Sequence, residues 1–346
     1  MNKEMKTILA LILLVFSGFT VFAQTERDTA WQYAMEGKFA QAAPIYEKVI
    51  AANPADSNAL TNLSWCYLEL KRYEDAASAA RRSIAQDPRD AYAYNNLGYA
   101  VFSLEQYEAA IEPLRMSIKI NGRYEKARAN LVATLVKLER SDEAIKELRA
   151  AIVEYPEKTS YRQQLAGVMM QNEWFTDAIP VLEDLIKLEP MKGNNFMMLG
   201  AAYQMTGQSA KGLEAFRQAA VLDPDNTNTL KSYAFSLMQE GKQSEAITVF
   251  QQIVSKNPRD FDAVFGIAMQ FSSLGQTDEA LNFGKQALAL RPDSGQAIMM
   301  VAMAYVSKGD KESARQYLPR LKELNPKNAE VLEKVLAKPD KPAQKN

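Results

Sequence analysis

Side-chain amides recur at a fixed interval in the first half of the chain. Asn62, Asn96, Asn130 and Gln164 are each 34 residues apart. Because an amide carries both a hydrogen-bond donor and an acceptor, a row of amides at constant pitch could pair with the backbone of an extended peptide. A second interpretation stays open, in which each amide bonds only to a neighbouring element of its own chain.

Methionine and phenylalanine take over the related positions in the second half of the chain. Methionine is flexible and polarisable, and it is common on surfaces that adapt to varied apolar partners. An amphipathic helix or an apolar strand of a partner would suit such a surface, and some of these side chains would also fill gaps between elements. The residues of this predicted apolar surface are Met197, Met198, Phe235, Met238, Phe265, Met269, Met299, Met300 and Met303.

Residues for catalysis are scarce. The sequence contains no histidine, so the commonest general base, metal ligand and pH switch are missing. It also contains no glycine-rich phosphate loop, no nucleophile motif and no metal-ligand spacing. We therefore predict no enzyme activity, no catalytic residue, no cofactor and no metal site.

The charge balance argues against nucleic acid as a partner. The chain has 41 Lys and Arg against 42 Asp and Glu, and its sequence pI is about 5.9. Without a basic excess, there is little to neutralise phosphates. A protein or peptide partner is the expectation that remains.

Proline sets the framework that must position these residues. A fixed period of this length is the signature of a repeat array. Proline ends a helix because it lacks a backbone N–H and restricts the residue before it. The prolines at intervals of 34 or 68 residues are Pro54, Pro88, Pro156, Pro190, Pro224, Pro258, Pro292 and Pro326, with Gly122 in the one gap.

Small residues share the same period. We number each repeat from the residue 31 places before its proline, so that the proline is position 32. Alanine fills position 20 in eight of nine repeats, and Gly212 fills it in the other. Position 8 is also small in all repeats except the one with Val132. Small side chains let two helices approach closely, so each repeat is expected to be a helical hairpin that stacks on its neighbours.

This pattern resembles the tetratricopeptide repeat (TPR) family. Stretches such as "AYAYNNLGYAVFSLEQYEAAIEPLRMSIKI" carry the small, aromatic and helix-breaking positions of that repeat. The resemblance implies an all-α, right-handed superhelical solenoid of about nine repeats across residues 24–328. The repeats would end near residues 54, 88, 122, 156, 190, 224, 258, 292 and 326.

The resemblance also implies where partners bind. The inner wall of a TPR superhelix is lined by the first helix of each repeat, mainly at positions 2, 5, 6, 9, 12 and 13. The amides at position 6 and the predicted apolar surface would both face that wall. Lys126, Tyr92 and Tyr99 would lie around the amides, and Lys126 could contact an acidic group.

The two ends of the chain differ from the array. Residues 1–23 have an early positive charge, a short apolar run and small residues before Gln24, which predicts a cleaved secretory signal peptide. An uncleaved membrane anchor is the alternative. Residues 329–338 predict an amphipathic capping helix, and residues 339–346 predict a disordered tail.

We therefore predict an exported, non-catalytic scaffold or adaptor that binds protein segments and supports assembly in the cell envelope. A periplasmic location is the first expectation, with no membrane-integral part after cleavage. Alternative functions are an accessory subunit of an envelope enzyme and a carrier of an apolar small molecule. The single cysteine, Cys66, is expected to be a packing residue.

Overall fold

The computed structural model describes residues 25–338, and all regular secondary structure in that range is helical. The predicted signal peptide and the predicted tail lie outside the described residues. The chain divides into two compact units, Met1–Val168 and Met169–Asn346. We call them the N-terminal unit and the C-terminal unit and describe each by itself.

The N-terminal unit consists of helical hairpins. The odd-numbered helix of each pair is the first helix of a repeat, and the even-numbered helix is the second. Its helices are α1 (25–35), α2 (Phe39–Ala52), α3 (Ser57–Glu69), α4 (Tyr73–Gln86), α5 (Ala91–Ser103), α6 (Tyr107–Ile120), α7 (Glu125–Lys137) and α8 (Ser141–Glu154). The next helix, α9 (Thr159–Gln171), runs across the division between the units.

The C-terminal unit continues the same pattern up to its last hairpin. Its helices are α10 (Phe175–Leu188), α11 (Gly193–Met205), α12 (Ser209–Leu222), α13 (Thr227–Gln239), α14 (Gln243–Lys256), α15 (Phe261–Ser273), α16 (Thr277–Leu290), α17 (Gly295–Ser307), α18 (Lys311–Arg315), α19 (Leu318–Leu324) and α20 (Pro326–Leu336). Among residues 25–338, no helix is both long enough and apolar enough to cross a membrane.

The small residues lie where the two helices of a repeat meet. The eight alanines at position 20, from Ala42 to Ala314, are at most 1 % exposed. A Cβ atom at Gly98, which occupies position 8, would lie only 2.5 Å from Leu114 Cγ on the second helix of the same repeat. The close approach predicted from the sequence is therefore confirmed.

The turn inside each hairpin needs a left-handed residue at position 15. Five repeats place glycine there, with φ between +68° and +78° at Gly37, Gly207, Gly241, Gly275 and Gly309. The other four use Lys71, Glu105, Glu139 and Glu173, with φ between 57° and 61°. Since this conformation strains residues that have a Cβ atom, these four turns carry a backbone cost that the glycine turns avoid.

The last hairpin departs from the sequence expectation. Its second helix is split into α18 and α19, and Pro319 lies in the first turn of α19. Proline has no N–H to donate to the carbonyl one turn earlier, which accounts for the break. The final helix begins at Pro326 and ends at Leu336, whereas the predicted capping helix covers 329–338. Asn325 caps it by accepting a hydrogen bond from the backbone N–H of Asn328.

A candidate peptide-binding groove

A groove of about 1190 Å³ opens in the N-terminal unit. It is formed by the first helices of four successive repeats and by the turns that precede three of them. Its lining includes Trp31, Asn58, Thr61, Asn62, Trp65, Glu69, Arg89, Asp90, Tyr92, Asn95, Asn96, Tyr99, Tyr124, Lys126, Ala129 and Asn130. Three of the four predicted amides and Lys126 therefore meet in one groove, whereas Gln164 is not part of its lining.

Asn96 holds two repeats together. The residue is 6 % exposed, and its Nδ2 donates to Ser64 Oγ at 2.8 Å and to the Thr61 carbonyl at 3.3 Å. Ser64 and Thr61 both lie on α3, in the preceding repeat. Both N–H groups of Asn96 are thus used within the chain, which is the arrangement of the second interpretation at this position.

Asn95 extends this network to the next repeat. Its Nδ2 donates to the Tyr124 hydroxyl at 3.3 Å, and its Oδ1 accepts a hydrogen bond from Asn130 Nδ2 at 2.9 Å. Asn130 is only half-buried, and its second N–H and its carbonyl oxygen have no partner among residues 25–338. Asn130 can therefore still bind a ligand, while Asn95 and Asn96 hold the wall of the groove.

The other predicted polar residues differ in their surroundings. Asn62 is half-buried on α3 and lines the groove. Lys126 is exposed at the start of α7, and the described part of the chain offers it no ion pair. Gln164 is half-buried on α9, and its Oε1 atom is enclosed without a hydrogen-bond partner.

Aromatic side chains form a second row beside the amides. Trp31, Trp65 and Tyr99 occupy position 9 of three successive repeats and are 34 residues apart. Trp31 is 44 % exposed and Tyr99 is 38 % exposed. The sequence analysis named Tyr99 but missed the two tryptophans, although their spacing was the signal. Large exposed aromatic side chains are typical of protein-binding surfaces.

Tyr92 and Tyr124 form one side of the groove. Their rings meet edge to face, with centroids 4.8 Å apart. Burial raises the pKa of Tyr124 to about 12, so its hydroxyl stays protonated and able to accept the hydrogen bond from Asn95. Tyr92 is 54 % exposed and presents its ring to a ligand.

The charged residues of the groove fall into engaged and available groups. Asp90 caps α5 through the backbone N–H groups of Tyr92 and Ala93, and it also accepts a hydrogen bond from Thr61. Lys126 and Glu69 have no ion-pair partner among residues 25–338, and they come from opposite ends of their helices. The groove thus offers one cation and one anion to a partner.

The predicted apolar surface lies on the first helices of repeats in the C-terminal unit. Phe235 is 43 % exposed. The other members are half-buried: Met197, Met198, Met238, Phe265, Met269, Met299, Met300 and Met303. Several of them also support the core, because Met238 packs on the Leu237 cluster and Met299 and Met303 pack on the Leu332 cluster. A role in binding an apolar partner stays a prediction.

Cys66 lies beside the groove but inside the core. It is 0 % exposed, and burial raises the pKa of its thiol to about 12. A thiol with such a pKa is a weak nucleophile near neutral pH. Among residues 25–338, no three Cys, Asp or Glu side chains are grouped as a metal ion would need.

Two sequence profiles described as tetratricopeptide repeat match the chain. One matches residues 33–97 and 273–338, and the other matches residues 180–286. A profile described as anaphase-promoting complex, cyclosome, subunit 3 matches residues 71–151. No similar sequence was found among curated proteins.

Solved structures resemble about half of the chain. MamA protein is 20 % identical, with a TM-score of 0.46 over 50 % of this chain and 94 % of its own. YrrB, described as a TPR protein with an unusual peptide-binding site, is 21 % identical, with a TM-score of 0.44 over 54 % of this chain and 95 % of its own. MamA from Desulfovibrio magneticus RS-1 is 15 % identical, with a TM-score of 0.46 over 49 % of this chain and 95 % of its own. Likeness at this level gives no information on function.

The paired helices, the 34-residue period and the profile matches define the class of the protein. The chain is a tetratricopeptide repeat protein. Proteins of this class are typically non-catalytic scaffolds that bind proteins or peptides.

Proposed function

We propose that this chain is an exported adaptor that holds an extended segment of a partner protein in the groove of its N-terminal unit. Its role would be assembly in the cell envelope. The single observation that carries the binding proposal is the convergence of Asn62, Asn130 and Lys126 with exposed aromatic side chains in one groove.

The size of the groove favours a peptide over a small molecule. Pockets for small ligands are roughly 300–1,000 Å³ and enclose most of their ligand. The groove has about 1190 Å³ and is lined by residues from four repeats. A long, open groove with a polar row and an aromatic row fits an extended chain, whose backbone and side chains are displayed along its length.

The proposed mechanism divides the work between the two kinds of amide. Asn62 and Asn130 pair with the partner's backbone, because they are half-buried and line the groove. Asn95 and Asn96 fix the spacing of the repeats, because they bond across the repeat boundaries. Lys126 supplies a charge for an acidic group of the partner.

Binding is tested by capture from envelope extract with the mature chain starting at Gln24. The test variant combines Asn62→Ala, Asn130→Ala and Lys126→Ala. The control variant combines Asn194→Ala, Asn228→Ala and Ser232→Ala, which are polar positions on first helices of the C-terminal unit. Loss of the same cross-linked partners with the test variant alone supports the proposal.

Two results would contradict it. Partners that remain with the test variant bind elsewhere, and partners lost equally with both variants depend on general stability. Circular dichroism melting of each variant separates loss of binding from loss of folding. The envelope role is tested separately by cell fractionation and by sequencing the mature N-terminus, and a chain retained in the cytoplasm with Met1 intact would refute it.

A further inference from the structure

Two tryptophans and a glutamate form a corner at one edge of the groove. The ring centroids of Trp31 and Trp65 are 6.0 Å apart, with their planes inclined at 52°. Glu69 lies one turn after Trp65 on α3, and its Oε1 accepts a hydrogen bond from Trp65 Nε1 at 3.1 Å. All three side chains line the groove, and Trp31 and Glu69 are exposed.

The corner is held in place before any ligand arrives. Phe39, at the start of α2, meets the Trp65 ring edge to face at a centroid distance of 5.2 Å. The hydrogen bond to Glu69 fixes the same ring from its nitrogen side. A ring that is fixed in the free protein loses little conformational entropy on binding, which favours affinity.

The chemistry of the corner suits a cation. The face of an indole ring attracts positive charge, and two inclined rings offer two such faces to one ligand. The carboxylate of Glu69 adds a full negative charge at the same place. An acidic ligand would be repelled, and the contact between the two rings leaves no slot for a flat apolar group between them.

The nearby cations of the chain are already engaged. Lys38 pairs with Glu36 at 2.7 Å, Arg27 pairs with Asp56 at 3.3 Å, and Arg72 pairs with Asp75 at 2.7 Å. Glu69 has no ion pair among residues 25–338, and no cation of that range stacks on either tryptophan. The charge of the corner is therefore left for a partner.

We propose that the Trp31–Trp65–Glu69 corner receives a basic side chain, arginine or lysine, of the segment bound in the groove. This inference rests on the proposed function, because it names the chemistry of that segment. Asn62 lies one turn before Trp65 on the same helix, so a backbone held at Asn62 places a side chain within reach of the corner. The corner therefore selects partner segments that carry a positive charge at one defined site.

The test selects random dodecapeptides displayed on phage against three forms of the mature chain. The forms are the unchanged protein, Glu69→Gln and the matched control Glu240→Gln, an exposed glutamate after the equivalent helix α13 of the C-terminal unit. We expect peptides selected on the unchanged and control proteins to share one arginine or lysine position, and we expect that enrichment to vanish with Glu69→Gln.

A selected peptide then gives the size of the effect. It is synthesised with arginine or with its uncharged isostere citrulline, and binding is followed by tryptophan fluorescence in a Trp174→Phe background. Citrulline should weaken binding about tenfold, in line with a partly desolvated cation–π contact beside a carboxylate. The Glu69→Gln variant should remove most of that difference, while Glu240→Gln should keep it.

The outcomes separate this inference from the proposed function. Peptides that bind the groove without a shared basic position, or that bind equally with citrulline, overturn the inference alone. Failure to select any peptide that competes for the groove overturns both. Selection of peptides with a shared acidic position would also overturn the inference, because it would assign recognition to Lys126.

Discussion

Equivalent positions of the first helices carry different side chains in the two units. Position 6 holds Asn96 in the N-terminal unit and Gly266 in the C-terminal unit. Asn96 fills the space beside the preceding repeat with hydrogen bonds to Ser64 and Thr61. At Gly266 the preceding repeat supplies Phe250 instead, and a Cβ atom would lie 2.6 Å from its ring.

The difference shows that position 6 serves two purposes. It contacts the preceding repeat, and in the N-terminal unit it also borders the groove. A polar contact there leaves hydrogen-bonding groups at the edge of the groove, whereas an aromatic contact closes the space with apolar atoms. The same hairpin can thus carry a polar groove in one unit and a more apolar helix face in the other.

The largest effect is expected where the large residue at position 24 is removed. Phe250→Ala should destabilise the C-terminal unit by about 3–5 kcal/mol, because the ring is 0 % exposed and fills the space beside Gly266. Leu114→Ala is the equivalent change in the N-terminal unit and should cost about 2–5 kcal/mol. Hydrogen exchange should show lost protection in the repeats next to each site, and uniform loss along the whole chain would contradict the repeat-by-repeat account.

A smaller effect separates the polar contact from its counterpart. Asn96→Ala should cost about 1–3 kcal/mol, because it leaves buried partners on α3 and α5 without hydrogen bonds. Ser232→Ala, at the same position of the C-terminal unit, should cost little, because its hydroxyl donates only to the Asn228 carbonyl of its own helix. Urea denaturation of both variants measures this difference, and equal costs would refute the structural role of Asn96.

The smallest effect concerns the turns. Glu105→Gly should stabilise the chain by about 0.5–1 kcal/mol, because glycine relieves the left-handed strain at φ 60° and gives back part of it as unfolded-state entropy. Gly241→Ala should destabilise by a similar amount, because it introduces that strain at φ 68°. The melting temperatures of the two variants should move in opposite directions, and a stabilising Gly241→Ala would contradict the account.

Periodic features of the fold could be predicted from the sequence. The register of Ala144 and its equivalents followed from spacing, because close helix contacts admit only small side chains. Glu105 gave no such signal, since a charged residue in a left-handed turn is set by the hairpin around it and not by its own preference. The break at Pro319 was also missed, because Pro44, Pro113 and Pro180 lie inside continuous helices.

The candidate site was predictable only in part. Spacing identified the amides, but it could not tell that Asn96 spends its N–H groups inside the chain and that Asn130 keeps one free. Those roles depend on which side chain of the preceding repeat lies opposite. The corner of Trp31, Trp65 and Glu69 depends on α1, α2 and α3 together, so no single motif contains it.

The most direct test of the account is site-specific photo-crosslinking in cells. A photoreactive amino acid is placed at Ala129, in the lining of the groove, or at Asn228 on the first helix of an equivalent hairpin in the C-terminal unit. We expect Ala129 to yield adducts with one continuous partner segment, and we expect Asn62→Ala with Lys126→Ala to abolish them. Adducts that persist in that variant, or that form only at Asn228, would contradict the claim that the groove of the N-terminal unit is the binding site.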